Sequence, residues 1–216
     1  MHRFTFCCAG LALVAMCSTA QAATFRFDDV PFAGTNVLDT PGRQVVGGEE
    51  FISFSIASDV FSLESTVFGV GSSVNFVNAL APNLPTGGVN VIVLQTLDDD
   101  ANPLTAFGAG SAANLIANQI TTPGAGFFIY FNSALDLPRL VFSTDLDSAS
   151  SDLQVLARMV NLTGQSGRDA MSTFTEANFD ITTTTAVPEP ATLSMVGLGA
   201  LGMCRALRRR RLHAQL

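Results

Sequence analysis

The residues that most often carry chemistry are missing from the greater part of this 216-residue chain. Its cysteines are Cys7, Cys8, Cys17 and Cys204, its histidines are His2 and His213, and every basic side chain is arginine, with no lysine anywhere. The stretch from Ala23 to Val187 therefore has no Cys, His or Lys. A Ser-His-Asp triad, a Cys-His pair, a Schiff-base lysine and a His-ligated zinc are all excluded from it. Without cysteine it tolerates an oxidising compartment but forms no internal disulfide. Carboxylate chemistry remains. Glu49, Glu50, Glu64 and Glu176 are the glutamates from which a glycosidase pair would be drawn. No spacing pairs them, and they read as solvated strand-edge and turn carboxylates.

Asp98, Asp100 and Asn102 set oxygens at alternate positions, as a calcium loop does. Pro103 stands where that loop needs its turn glycine, and Ala109 where a glutamate should close it. The stretch reads as an acidic, solvent-facing turn, and Asp145, Asp147 and Asp152 are spaced more loosely still. No metal and no cofactor is expected. Gly197, Gly199 and Gly202 fit the dinucleotide pattern G-x-G-x-x-G, but they lie in an apolar segment followed by arginines. The pattern has meaning only between a strand and a helix of a βαβ unit.

The elements that would hold such residues are mostly strands. Thr24–Asp28 and Glu50–Ile56 alternate apolar and polar residues; "VNVIVLQTL" (89–97) and "FFIYF" (127–131) are near-continuous apolar runs. Leu140–Ser143, Leu153–Val160, Phe174–Glu176 and Phe179–Thr182 complete the set, with Gly/Pro turn signals between them. This pattern predicts a mainly β body, an antiparallel, jelly-roll-like β-sandwich. One short helix is expected over 112–120, capped by Ser111 and stopped by Thr121-Thr122-Pro123. Between Ala23 and Val187 five arginines face seventeen carboxylates, a net charge of −12 against −7 for the whole chain. Such a surface repels nucleic acid.

The two ends are of a different kind. Arg3, the 14-residue apolar stretch Phe4–Cys17 and the small-x-small site Ala20-Gln21-Ala22 form a secretory signal, cleaved to leave Ala23 at the mature N-terminus. The secretion translocon and signal peptidase are thus expected partners. Thr182–Ala186 reads as a linker. Val187-Pro188-Glu189-Pro190 follows, then the uncharged Ala191–Cys204, then Arg205 and the run Arg208, Arg209, Arg210 and Arg211. As a helix, Ala191–Cys204 is about 21 Å long; with Ala206 and Leu207 counted and Arg205 snorkelling it reaches about 26 Å, against a hydrocarbon core of about 30 Å. It is expected as a single transmembrane helix, with the arginine cluster holding its end in the cytoplasm.

This order resembles the PEP-CTERM sorting signal of Gram-negative bacteria, a segment also labelled "ice-binding protein C-terminal domain". The resemblance covers residues 187–211 and leaves "LHAQL" (212–216) as a cytoplasmic tail. It implies recognition by exosortase, a membrane-embedded sorting enzyme resembling a cysteine protease. The chain would be an inner-membrane intermediate with its body in the periplasm, then move to the cell surface or exopolysaccharide matrix. Two prolines favour an extended segment that cannot join the helix and so present the motif at the membrane face. The resulting division is signal peptide 1–22, body 23–181, linker 182–186, sorting signal 187–211 and tail 212–216. For the body the expected role is non-catalytic, in the surface or biofilm matrix. A carbohydrate- or calcium-binding adhesive module and a carboxylate glycosidase are the alternatives. No tryptophan and a single tyrosine, Tyr130, leave few aromatic platforms for sugar rings.

Overall fold

The structure is a computed structural model that describes residues 21–102 and 104–183. Among these residues ten strands and three short α-helices follow one another in the order β1 (Thr24–Phe27), β2 (Val45–Val46), β3 (Glu50–Ile52), β4 (Val60–Glu64), α1 (Ser65–Phe68), β5 (Phe76–Ala79), β6 (Val91–Leu94), α2 (Ala109–Ala117), β7 (Gly126–Asn132), β8 (Leu137–Ser143), β9 (Leu153–Met159), α3 (Gly164–Ala170) and β10 (Phe179–Thr182). A three-stranded sheet has the order β1-β4-β10, and a seven-stranded sheet the order β2-β9-β8-β7-β6-β5, with β3 also on β9.

The apolar runs are explained by cover on both faces of the larger sheet. Every residue of β7 is buried. Phe127, Ile129 and Phe131 point into a core shared with Phe61 and Leu63 of the smaller sheet. Phe128 and Tyr130 point into a second core with Ala112, Ala113 and Ile116 of α2. A strand with no wet face needs no polar alternation, so a period of two disappears from its sequence. Phenylalanine dominates the first core: Phe54 stacks on Phe61 with ring centroids 4.2 Å apart and planes 4° from parallel. Burying each such ring is worth roughly 2–3 kcal/mol.

The antiparallel expectation is corrected. Among the described residues β1 and β10 both pair with β4 in parallel, as do β2 and β3 with β9, β5 with β6, and β6 with β7. The antiparallel pairs are β7 with β8 and β8 with β9. These are the strands joined by short connections. The Gly/Pro turns elsewhere do not close hairpins but sit within longer crossovers, such as the one from β6 through α2 to β7, which a parallel pair requires. Two sheets do enclose a core, but the pairing is not that of a jelly roll.

The single-helix expectation is corrected as well, since α1, α2 and α3 are all present. In α2 the N-cap position belongs to Gly108, with Ser111 inside the first turn, and the helix ends at Ala117. The residues from Ala109 onward already face the second core, so packing rather than a hydroxyl cap sets the start. At the other end of the fold, Thr182 is paired with Glu64 of β4. Thr182, expected as the first linker residue, thus belongs to the last strand, and the compact unit closes there.

One helix has a tight seat. A Cβ on Gly167 of α3 would lie 2.3 Å from the Leu162 carbonyl oxygen and 3.1 Å from Phe131. Its neighbour Arg168 reaches Asp136 at 2.5 Å and lies over the Phe131 ring at 4.7 Å. Gly167→Ala is expected to cost about 2 kcal/mol by overpacking against backbone, lowering Tm by about 6 °C for a domain of this size. Gly110→Ala in α2 meets nothing nearer than Arg43 at 3.8 Å. It should stabilise by roughly 0.5–1 kcal/mol, since glycine is the weaker helix former. Calorimetry on the two variants checks both signs, and an unchanged Tm for Gly167→Ala would refute the close approach.

Candidate functional site

Glu49 just precedes β3, which runs beside β9 with Phe51 opposite Arg158. On the other side of β9, Arg139 of β8 stands opposite Arg158. A bulge makes this geometry: Leu140 pairs with Ala157 but Val141 pairs with Val155, so Leu156 is the extra residue. Val155 faces the second core and Ala157 the first, although they are two residues apart. The bulge thus exchanges faces and moves Arg158 away from the first core, to the side of Arg139.

Both guanidiniums converge on Glu49. Arg139 Nη2 donates to Oε1 at 2.6 Å, and Arg158 Nε donates to the same oxygen. Oε2 accepts the Gly48 N–H at 3.0 Å. The Glu49 side chain is 6 % exposed, those of Arg139 and Arg158 13 % and 26 %. Arg139 Nη1 also donates to the Tyr130 hydroxyl at 3.3 Å, which accepts Asn132 Nδ2 at 3.0 Å. Arg158 lies over the exposed Phe51 ring, 5.0 Å from its centroid. Burial raises the Glu49 carboxyl pKa, but the backbone N–H groups of Glu49 and Gly48, the Arg158 guanidinium and the charge of Arg139 outweigh it and bring it to about 2. A carboxyl so held is ionised and engaged at both oxygens. That is the opposite of the raised pKa a general acid needs.

The other glutamates fall in separate elements. Glu50 is exposed at the start of β3, and Glu176 is exposed in the 3-10 turn Glu176–Asn178. Glu64 is buried at the end of β4 and accepts the hydroxyls of Thr66 at 3.1 Å and Thr182 at 3.3 Å. The structure therefore brings arginines to Glu49 rather than a second carboxylate. Sequence reasoning missed this clamp, whose members lie 90 and 109 residues apart. Its one visible signal is that arginine is scarce in the body and two of the five arginines sit on neighbouring strands.

The acidic turn is organised around its own backbone. Asp98 Oδ1 accepts the Asp100 N–H at 3.2 Å, Asp100 Oδ1 that of Asn102 at 2.9 Å, and Asn102 Oδ1 that of Leu104 at 3.1 Å. These are successive side-chain-to-backbone turns. The Thr105 hydroxyl and the Asn102 N–H hold the Asp100 carboxyl below its ordinary range. The carboxylates that approach one another are Asp98, Asp99 and Asp100, with oxygens within 4.8 Å, rather than the alternate set Asp98, Asp100 and Asn102. Asp145 and Asp152 likewise accept backbone N–H groups, from Gly124 at 2.9 Å and Gln44 at 2.8 Å. Millimolar calcium is accordingly expected to raise Tm by no more than about 2 °C. A rise above about 5 °C in thermal melts would show the turn to be a metal site.

A shallow, open depression lined by Ala113, Ile116, Phe128, Ser143, Asp145 and Leu146 has no room for even a water-sized body, let alone for a small-molecule ligand. Among the described residues no helix is long and apolar enough to cross a membrane. Ala20 of the cleavage site lies outside the described residues, as do Val187, Pro188, Glu189, Pro190, the apolar helix expected over Ala191–Cys204, and Arg205 and Arg208–Arg211. Gln21 and Ala22 are exposed and Ala23 is half-buried.

Residues 186–211 match the family model of the PEP-CTERM protein-sorting motif. The match begins one residue before the expected segment and ends with it. It implies export to the envelope or beyond in a Gram-negative bacterium, with exosortase as processing partner. The match concerns sorting and lends nothing to the ice-binding label. No curated protein and no solved structure matches the chain.

Proposed function

We propose that the chain is a non-catalytic protein of the cell surface or exopolysaccharide matrix. It is exported with its body in the periplasm, held in the inner membrane by its C-terminal apolar segment, and released by exosortase. The match of residues 186–211 to the PEP-CTERM sorting motif carries this reading. The body lends support by its chemistry. It contains no Cys, His or Lys, and Glu49 is engaged by two arginines with its pKa lowered to about 2. Neither alternative gains a specific observation. Tyr130, the one tyrosine, is wholly buried and offers no platform for a sugar ring. In the acidic turn one side-chain oxygen each of Asp98, Asp100 and Asn102 is engaged by a backbone N–H group. The test is the fate of a Glu189→Ala chain in fractionated cells: retention in the inner membrane supports the sorting reading, and unchanged release overturns it.

A further inference from the structure

Asp59 is a buried carboxylate in the turn just before β4. It is 5 % exposed, and its carboxylate accepts three neutral donors: the Ala23 N–H at 2.9 Å on Oδ1, the Ser58 hydroxyl at 3.0 Å on Oδ1, and the Ser55 N–H at 2.8 Å on Oδ2. No ion pair among the described residues includes it. Burial raises its pKa, yet the donors from Ala23, Ser55 and Ser58 outweigh that and leave it below the ordinary range, so the group is ionised. A buried carboxylate without a counter-charge is costly.

One of its donors sits at the expected scissile bond. Ala23 is the residue that signal cleavage would make the N-terminus, and it is pinned on both sides. Its N–H goes to Asp59, and its carbonyl accepts the Val60 N–H at 2.9 Å, where the β1–β4 ladder begins. Gln21 and Ala22, just before it, are exposed. The turn bearing Asp59 is held in turn by Asn178 Nδ2, which donates to the carbonyls of Ile56 at 2.7 Å and Asp59 at 3.0 Å. Cleavage after Ala22 converts the Ala23 amide into an α-ammonium without moving the nitrogen. A charged donor on a carboxylate makes a bond roughly twice as strong as a neutral one.

We infer that Asp59 is the seat of the mature N-terminus: signal cleavage supplies the ammonium that Asp59 lacks, and so strengthens this closure of the already folded body only after export. This rests on cleavage after Ala22, which the same experiment checks separately. The chain has no lysine, so after cleavage its α-amine is the single primary amine an acylating reagent can find. Full-length protein, exported and purified in detergent, is first weighed to place its N-terminus and then treated with an acetyl N-hydroxysuccinimide ester. With Ala23 at the N-terminus, acylation of the folded protein near pH 7 is expected to be at least about tenfold slower than of protein unfolded in guanidinium. A glycine inserted between Ala22 and Ala23 moves the ammonium about 3.8 Å from its seat; labelling should become fast and Tm fall by about 5 °C. Asp59→Asn should do the same, and if that variant does not fold, the glycine insertion decides. Equal labelling of folded and unfolded wild type, or an insertion that changes neither rate nor Tm, overturns the inference. A mass placing the N-terminus at another residue refutes the cleavage site instead, and with it this use of Asp59.

Discussion

Glu189→Ala is expected to leave full-length protein in the inner-membrane fraction and to deplete the surface and exopolysaccharide fractions. The motif match at residues 186–211 and the proposed sorting route meet at this one carboxylate. Pro188 and Pro190 remove two backbone donors, and each biases its preceding residue, Val187 and Glu189, away from helix. A sorting enzyme that reads such a peptide finds one charge in it, at Glu189. Removing a hydrogen-bonded charge from a recognition site costs about 1.5–3 kcal/mol, which slows processing by roughly 10- to 100-fold. Immunoblots of fractionated cells read both the size of the chain and its compartment. Wild-type and variant chains of equal size, equally released, would refute sorting through this motif while leaving the structure of the body untouched.

The second large effect is on stability and its pH dependence. Glu49→Gln keeps the shape of the side chain but leaves Arg139, 13 % exposed, and Arg158 without a counter-charge. Breaking a buried pair in this way costs about 3 kcal/mol. The wild-type pH profile follows from the direction of the Glu49 shift. Its carboxyl is lowered from 4.5 to about 2, so the folded state holds it ionised where the unfolded chain would protonate it. The stabilisation is therefore full above about pH 5 and is lost as pH falls toward 2. A gap of that size corresponds to at most about 3 kcal/mol. The Arg158 side chain is partly open to solvent, and screening there brings the expected value nearer 2 kcal/mol. Denaturant melts at about pH 6 and pH 3 should show wild type losing stability faster than Glu49→Gln, so that the two curves converge in acid. Curves that stay parallel would mean that the clamp contributes nothing at equilibrium.

The sequence by itself determined what depends on composition and on short contiguous stretches. The sorting motif is legible because the family model is matched by one contiguous stretch, residues 186–211. The lack of Cys, His and Lys in the body is equally a property of the list of residues. The mainly β character was visible because β6 and β7 are apolar and β-branched or aromatic along their length, and α2 was visible in its period if not at its ends. The tertiary structure decided the direction of pairing, because two strands that meet only after a long crossover leave no mark at the turns next to them. It decided that Glu49 meets Arg139 and Arg158, since a bulge at Leu156 exchanges the faces of β9, and one inserted residue in a ladder cannot be read from apolar residues that fit either face. It also placed Asp59 against the nitrogen of Ala23, a pairing of residues far apart in sequence that only the parallel ladder of β1 on β4 brings together.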